Sequence, residues 1–428
     1  MIEAVSELAQ RDARVMWHPY TQMQLDPQAL PIVRGEGTLL FDEQGRSYID
    51  AISSWWVNLH GHAHPHIVQA ISDQARQLEQ VIFAGFTHEP AIRLAERLLS
   101  ILPPGLSRIF YSDDGSTAVE VALKMALQYW QNLGGKRTRI LAFEGGYHGD
   151  TFGAMAAGRG LFSAPFDRYL FQVNQLPFPM AGAEERAIAT LRAELQRGDV
   201  AALIYEPLLQ GAGGMRMISA VAMAEVLSLA RSQGVLLIAD EVMTGFGRTG
   251  RLFASQTLGV NPDLICLSKG ITGGFMPLGV TAASEQVYNA FLSQERLRMF
   301  IHGHSFTANP LACAAANASL DLLLQDETLR AISRIGAAHA AFLKRDNTSF
   351  AKNIRLCGTV MAFEVASTEG HSYTHALRDR LYQGFLAQRV LLRPLGNTLY
   401  VLPPYCISDA ELQMVYAAIE SVVKEAIE

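Results

Sequence analysis

Apolar positions along the chain come first in short unbroken runs and then in wider, helix-spaced sets. The runs Arg108–Ser112, Arg139–Phe143, Val200–Tyr205, Val235–Asp240, Leu264–Leu267 and Leu278–Ala283 read as strands buried on both faces. Between them lie segments with helical spacing. Ile67–Gln80, Ala91–Leu102, Thr117–Asn132 and Leu311–Leu324 are predicted helices. Pro103-Pro104-Gly105 and Gly134-Gly135 stop two of them, and Thr117 with Glu120 has the spacing of a capping box. Strand and helix in alternation over so long a stretch predict an α/β fold, a mostly parallel sheet with helices on both faces.

The two ends of the chain have a different texture. Residues 1–50 are irregular, then form short strands at 31–37 and 39–42 around a turn at 43–46. Beyond 320 the pattern predicts a helix over 320–345, strand pieces at 354–356 and 359–365, a helix over 374–388, strands at 390–393 and 398–402, and a last helix over 408–427. The expected organisation is a large domain over 53–320. A smaller α+β domain is built from both chain ends, 1–52 and 321–428.

Charge and composition narrow the class. Charged residues are 18% of the chain, against roughly 25% in average soluble domains, which points to surface buried in an oligomer. A net charge of −6 gives no electrostatic pull toward nucleic acid or an anionic membrane. No apolar run approaches the roughly 18 residues of a membrane span. The acidic start Met1–Leu8 has no apolar core of a secretion signal. Four scattered cysteines without a C-x-x-C pair suggest reduced thiols and a cytoplasmic setting.

The candidate chemistry lies at strand ends. Asp240 closes one apolar run, and Lys269 follows the next, ahead of Gly273-Gly274. Open α/β sheets bind ligands at the C-terminal ends of their strands. A lone acid and a lone lysine there suit pyridoxal phosphate: the amine condenses with its aldehyde, and the carboxylate keeps the ring nitrogen protonated. Ser112–Thr117 joins a strand to a helix, so its backbone N–H groups serve either a phosphate or an ordinary cap. In Gly145-Gly146-Tyr147-His148-Gly149-Asp150, Tyr147 either stacks on a flat ring with Asp150 beside it or packs in a glycine turn. His302–Pro310 is a turn whose hydroxyls serve a phosphate, in this subunit or a neighbour's, or cap the following helix. Arg393 either clamps a carboxylate or makes a structural ion pair. Tyr20, Trp55 and Trp56 either wall an apolar slot or pin the N-terminal segment.

Two other patterns carry less. Gly245–Gly250 matches G-x-G-x-x-G, but Glu241–Thr244 separate it from the strand end, and the next acid, Asp263, comes before its strand rather than after it. This argues against a dinucleotide-dependent dehydrogenase. His60, His62, His64 and His66 alternate like ligands on a strand, yet Pro65 and Gly61 mark a turn without an interleaved carboxylate or thiol; no metal is expected.

Taken together, Ile238–Val242, Thr244–Gly250 and Ser268-Lys269-Gly270 resemble the class III, fold type I aminotransferases, and the likeness runs along nearly the whole chain. Within that family, the wording of Trp17–Thr21, Ser53–Trp56, Gly146–Met155, Gln210–Met217 and Asn309–Ser319 is similar to members that aminate 8-amino-7-oxononanoate in biotin synthesis. The resemblance implies pyridoxal phosphate on Lys269, with Asp240 at the ring nitrogen. Tyr147 and Val242 take the two ring faces, and Gly115 and Ser116 the phosphate. It also implies an obligatory homodimer in which the partner's Ser305 completes the phosphate site. Tyr20, Trp55, Trp56, Asp150 and Arg248 line the substrate pocket, and Arg393 takes the keto acid's carboxylate. Met243 stands where many members carry glutamine, which weakens a 4-aminobutyrate or ornithine reading. The implied donor is S-adenosylmethionine, with lysine the alternative. An aminomutase or a broad ω-amine transaminase of the same fold is the catalytic rival.

Overall fold

A computed structural model describes residues 6–25, 28–345, 350–366 and 375–427. Seven strands form the central sheet: β1 (Leu106–Ser112), β2 (Arg139–Phe143), β3 (Val173–Leu176), β4 (Val200–Tyr205), β5 (Leu236–Asp240), β6 (Leu264–Leu267) and β7 (Gly279–Ser284). Their spatial order is β1-β7-β6-β5-β4-β2-β3. Only β7 runs against its neighbours, so the mostly parallel sheet of the α/β reading is present. Every residue of β4, β5, β6 and β7 is buried, which is why their sequences are unbroken apolar runs. The edge strand β3 escaped the sequence pattern. Its four residues Val-Asn-Gln-Leu bury fully only the two ends.

Because β1, β5 and β6 point the same way, Ser112, Asp240 and Leu267 end on one edge of the sheet. That edge receives the site. The helix Gly115–Asn132 starts there, two residues earlier than its pattern predicts. Asp114 caps it: its Oδ1 accepts from Thr117 N at 2.7 Å, and Thr117 Oγ1 accepts from Asp114 N at 3.1 Å. The capping box is therefore Asp114 with Thr117, not Thr117 with Glu120.

The chain ends meet. Strands Ile32–Glu36, Leu39–Asp42 and Ser47–Asp50 make an antiparallel set, and Val390–Leu391 pairs parallel to Ser47–Asp50, with Val390 opposite Ile49. Ala351–Cys357, Val360–Val365 and Thr398–Val401 form a second antiparallel sheet. The helix expected over Leu311–Leu324 is Pro310–Leu323, and the one expected over 320–345 begins later, running Asp326–Phe342. Gln325 is extended, and Asp326 and Glu327 suit a new N-terminus. Residue 320, the expected end of the large domain, lies inside the first of these helices. Leu377–Ala387 lies within the helix expected over 374–388, whose residue 374 is outside the described residues. A short helix, Glu7–Val15, was not anticipated; it buries only Ala9.

Candidate active site

A cavity of about 680 Å³ opens at the strand ends, lined by Asp240, Lys269, Tyr147, Val242, Gly115, Ser116, Asp150 and Trp56, all expected at the site. Asp240 and Lys269 arrive from adjacent parallel strands. Lys269 has a left-handed backbone, φ 45°, a strained conformation for a residue with a side chain. Its Nζ lies 4.8 Å from the centre of the Trp56 ring. Burial pulls the Lys269 ammonium below its ordinary pKa, against the attraction of Asp240 and Glu206.

Asp240 is held on both oxygens. Oδ1 accepts from Val242 N at 3.1 Å, and Oδ2 lies 2.7 Å from His148 Nδ1. Burial opposes a charged His148, yet the bond and charge of Asp240, with Glu206 behind it, raise its pKa above the ordinary 6.5. Glu206 is buried and accepts from Tyr147 N at 3.0 Å and Gly211 N at 2.9 Å. Burial pushes its pKa up to about 7, with Asp240 adding to the rise and His148 opposing it. Neither His148 nor Glu206 was singled out from sequence. His148 stood in a flagged loop beside Tyr147, whereas Glu206 follows β4 with no motif of its own to mark it.

The residues fit a phosphorylated flat ring. The first N–H groups of a helix lack acceptors within it. Thr117 N and Ala118 N are taken by Asp114, which leaves those of Gly115 and Ser116 at the cavity wall. Close packing demands glycine here. A Cβ on Gly115 would sit 2.6 Å from Val242 Cγ1, and one on Gly149 2.3 Å from Ser116 Oγ.

A strip of aromatic and charged groups leads outward. Tyr20 Oη donates to Asp150 Oδ2 at 2.5 Å and lies 3.4 Å from Tyr147 Oη. Burial, with Tyr20 and Asp150, raises the Tyr147 phenol's pKa, so it stays protonated. The Tyr20 ring meets Trp55 edge-on at 5.6 Å and Phe162, unforeseen from sequence, at 5.5 Å. Arg393 Cζ lies 5.2 Å from the Trp55 ring centre. Tyr20, Trp55 and Arg393 thus stand at the cavity's approach rather than on its floor.

Two expected residues stand elsewhere. Arg248 does not line the cavity, which corrects its placement in the substrate pocket. It is 1% exposed and donates to Pro403 O at 2.9 Å, Asn58 O at 2.9 Å and Trp56 O at 3.5 Å. A buried guanidinium needs such acceptors, and the carbonyls converge on it from the wall behind Trp56. Ser305 is exposed on this chain and does not line this cavity; its carbonyl accepts from Gln80 Nε2 at 2.5 Å.

The two weaker patterns resolve into packing. Gly247 has φ 97°, and a Cβ there would sit 2.6 Å from Ile332 Cδ1, while Tyr405 Oη donates to Phe246 O. G-x-G-x-x-G is here a joint between chain segments. The histidines have separate partners: His60 with Ser319, His62 with Asp50 and Asn58, His66 with Asp321, and His64 caps a helix. Among the described residues no group of three or more His, Cys, Asp or Glu side chains is arranged to hold a metal ion.

Known proteins are similar to this chain in sequence and in fold. The family profile described as Aminotransferase class-III matches residues 20–423. An adenosylmethionine-8-amino-7-oxononanoate aminotransferase of Synechococcus elongatus is 53% identical over 96% of this chain and 98% of its own. One of Geobacter sulfurreducens is 40% identical, over 96% and 95%. The crystal structure of the Methanocaldococcus jannaschii protein of that name superposes with a TM-score of 0.92 at 33% identity, covering 98% of both chains. An amine transaminase from an uncultivated Pseudomonas species superposes with a TM-score of 0.91 at 30% identity, over 96% and 99%. Fold, strand-end site and near full-length similarity agree: the chain belongs to the class-III aminotransferases.

Proposed function

We propose that the chain transfers an amino group from S-adenosylmethionine to the 7-keto group of 8-amino-7-oxononanoate, giving 7,8-diaminononanoate for biotin synthesis. The observation that carries this reading is the 53% identity to a relative of that name over nearly the full length. Class-III aminotransferases depend on pyridoxal phosphate, which when bound supplies an electron sink and carries the amino group between donor and acceptor.

The residues divide the work. Asp240, fixed by His148 and Val242 N, keeps a proton at the ring nitrogen. Lys269, whose ammonium burial pulls below its ordinary pKa, would move a proton at the substrate carbon. Tyr147 and Val242 would flank the ring, and the N–H groups of Gly115 and Ser116 would hold the phosphate. The apolar slot beside Trp56, Trp55 and Tyr20 suits a long methylene chain, and Arg393 suits the carboxylate at its far end.

We also place a homodimer in this reading. Ile82, Phe86, Met299, Ile301 and Phe306 are each at least half exposed, an apolar surface around Ser305 that a partner subunit would cover. Ser305 would then face the partner's phosphate site. The cytoplasmic setting rests on the cysteines: Cys266, Cys313, Cys357 and Cys406 are all free. No described helix is long and apolar enough to cross a membrane.

The test is product formation by the purified, cofactor-loaded protein with S-adenosylmethionine and 8-amino-7-oxononanoate, read by mass spectrometry. Diaminononanoate formed only when both are present supports the reading. Turnover with lysine alone as donor moves the donor. No turnover with the keto acid and any amine moves the substrate to another ω-amine.

A further inference from the structure

Glu120 lies on the second turn of the helix whose first turn forms the phosphate cradle, one turn beyond Ser116. Its Oε1 accepts three hydrogen bonds from one loop: Thr151 Oγ1 at 2.6 Å, Gly153 N at 2.6 Å and Ala154 N at 3.0 Å. The short helix that begins there, Phe152–Ala157, has no side-chain cap of its own, so a carboxylate from another element takes that place. Thr151 in turn holds Ser116. Thr151 N donates to Ser116 Oγ at 3.0 Å, and the two hydroxyl oxygens are 2.7 Å apart.

Proton directions follow from the ends of this chain. A carboxylate oxygen only accepts, so the single Thr151 hydroxyl proton goes to Glu120. Between the two hydroxyls, Ser116 must then be the donor. Its hydroxyl proton is turned toward Thr151, and its backbone N–H is left to face a phosphate. Packing seats the loop equally tightly: a Cβ on Gly153 would sit 2.2 Å from Glu120 Oε2. The loop so fixed carries Tyr147, His148 and Asp150, which touch the ring site, Asp240 and Tyr20.

We propose that Glu120 is a positioning residue: through Thr151 it joins the phosphate cradle to the Tyr147–Asp150 loop, so that one carboxylate sets both cofactor affinity and the placing of substrate. Glu120 itself does not line the cavity. The inference rests on the reading of that cavity as a cofactor and substrate site.

The experiment compares Glu120→Ala, Glu120→Gln and Thr151→Val in the full chain with wild type. Cofactor-free protein is titrated with pyridoxal phosphate by tryptophan fluorescence, its melting temperature is recorded, and KM and kcat for the keto acid are measured after loading. Losing bonds to a charged acceptor predicts that Glu120→Ala weakens cofactor binding and raises KM by about tenfold each, with a smaller change in kcat. Glu120→Gln keeps an acceptor oxygen and should stay within about threefold of wild type. Thr151→Val should fall between them on both readouts. A lowered melting temperature with unchanged cofactor affinity and KM would reduce Glu120 to a structural role and overturn the proposal. So would a Thr151→Val variant matching wild type, which remains informative if Glu120→Ala does not fold. Wild type inactive on the keto acid would fail the functional reading instead; the cofactor titration still decides the Glu120 coupling.

Discussion

His148 Nδ1 meets Asp240 Oδ2 at 2.7 Å with both side chains buried, 1% and 5% exposed. Held by His148 on one oxygen and by Val242 N on the other, the carboxylate is fixed at the cavity wall where it faces the ring site. Asp240→Asn removes that carboxylate. A drop on the order of a thousandfold in kcat/KM is expected, about 4 kcal/mol of transition-state stabilisation. Steady-state kinetics at saturating cofactor check it, and a loss below tenfold would take Asp240 out of this role.

Lys269→Ala should fold and lose multiple-turnover activity. The side chain ends against the Trp56 ring rather than in an ion pair, so its removal leaves no stranded buried charge partner at hydrogen-bond distance. Circular dichroism and thermal melting should match wild type. Normal repeated turnover in this variant would rule out the assignment of the lysine.

Buried Glu206 predicts a pH dependence of stability in cofactor-free protein. Its pKa rises from 4.5 to about 7 on folding, chiefly through burial. Between those values the folded state holds a proton that the unfolded state has released, so stability is full below about 4.5 and is lost as pH rises through about 7. His148, also raised, acts in the same direction from 6.5 upward. Urea unfolding at pH 5.5 and pH 8 should show lower stability at the higher pH, and Glu206→Gln should flatten the slope. An equal slope in that variant would assign the proton elsewhere.

Arg393 and Trp55 form the far end of the approach. Arg393→Ala should raise KM for the keto acid by about tenfold to a hundredfold while kcat changes little, because binding of a remote carboxylate is lost from ground and transition state alike. The same variant should handle a neutral ketone of equal length as wild type does. An unchanged KM removes Arg393 from the carboxylate.

Arg248→Met tests the opposite case, a cation that holds structure. Its donors serve carbonyls of Trp56, Asn58 and Pro403. Leaving buried carbonyls unpaired should cost about 3 kcal/mol of stability, read as a lower urea midpoint at unchanged m-value. A midpoint within error of wild type would contradict this account.

Much of the site was legible because its residues sit where local sequence rules are strong. Asp240 and Lys269 end apolar runs, and Gly115 and Ser116 follow a strand and open a helix. Such positions announce themselves through strand period and capping chemistry. Arg248 was misplaced for the converse reason: it lies in a distinctive motif, and sequence does not reveal that carbonyls from residues 56, 58 and 403 converge on it. Glu206 was missed because its partners are backbone N–H groups of distant loops, which leave no mark in side-chain pattern. Glu120 was read as a capping partner of Thr117 because its actual partners, Thr151 Oγ1, Gly153 N and Ala154 N, lie far along the chain. The start of the helix expected over 320–345 was obscured because helical spacing continues across the two-residue break before Asp326.

The parallel pairing of Val390–Leu391 with Ser47–Asp50 has a consequence for how the chain is made. Synthesis proceeds from the N-terminus, so the first strands to leave the ribosome are among the last to find their neighbour. Until the far end emerges, the edge at Ser47–Asp50 lacks its final partner and is open to pairing with other chains. Tyr20, Trp55 and Trp56 flank those strands, so the substrate approach takes shape late. A chain shortened before residue 390 should keep much of its central sheet yet lose the edge partner that anchors this approach.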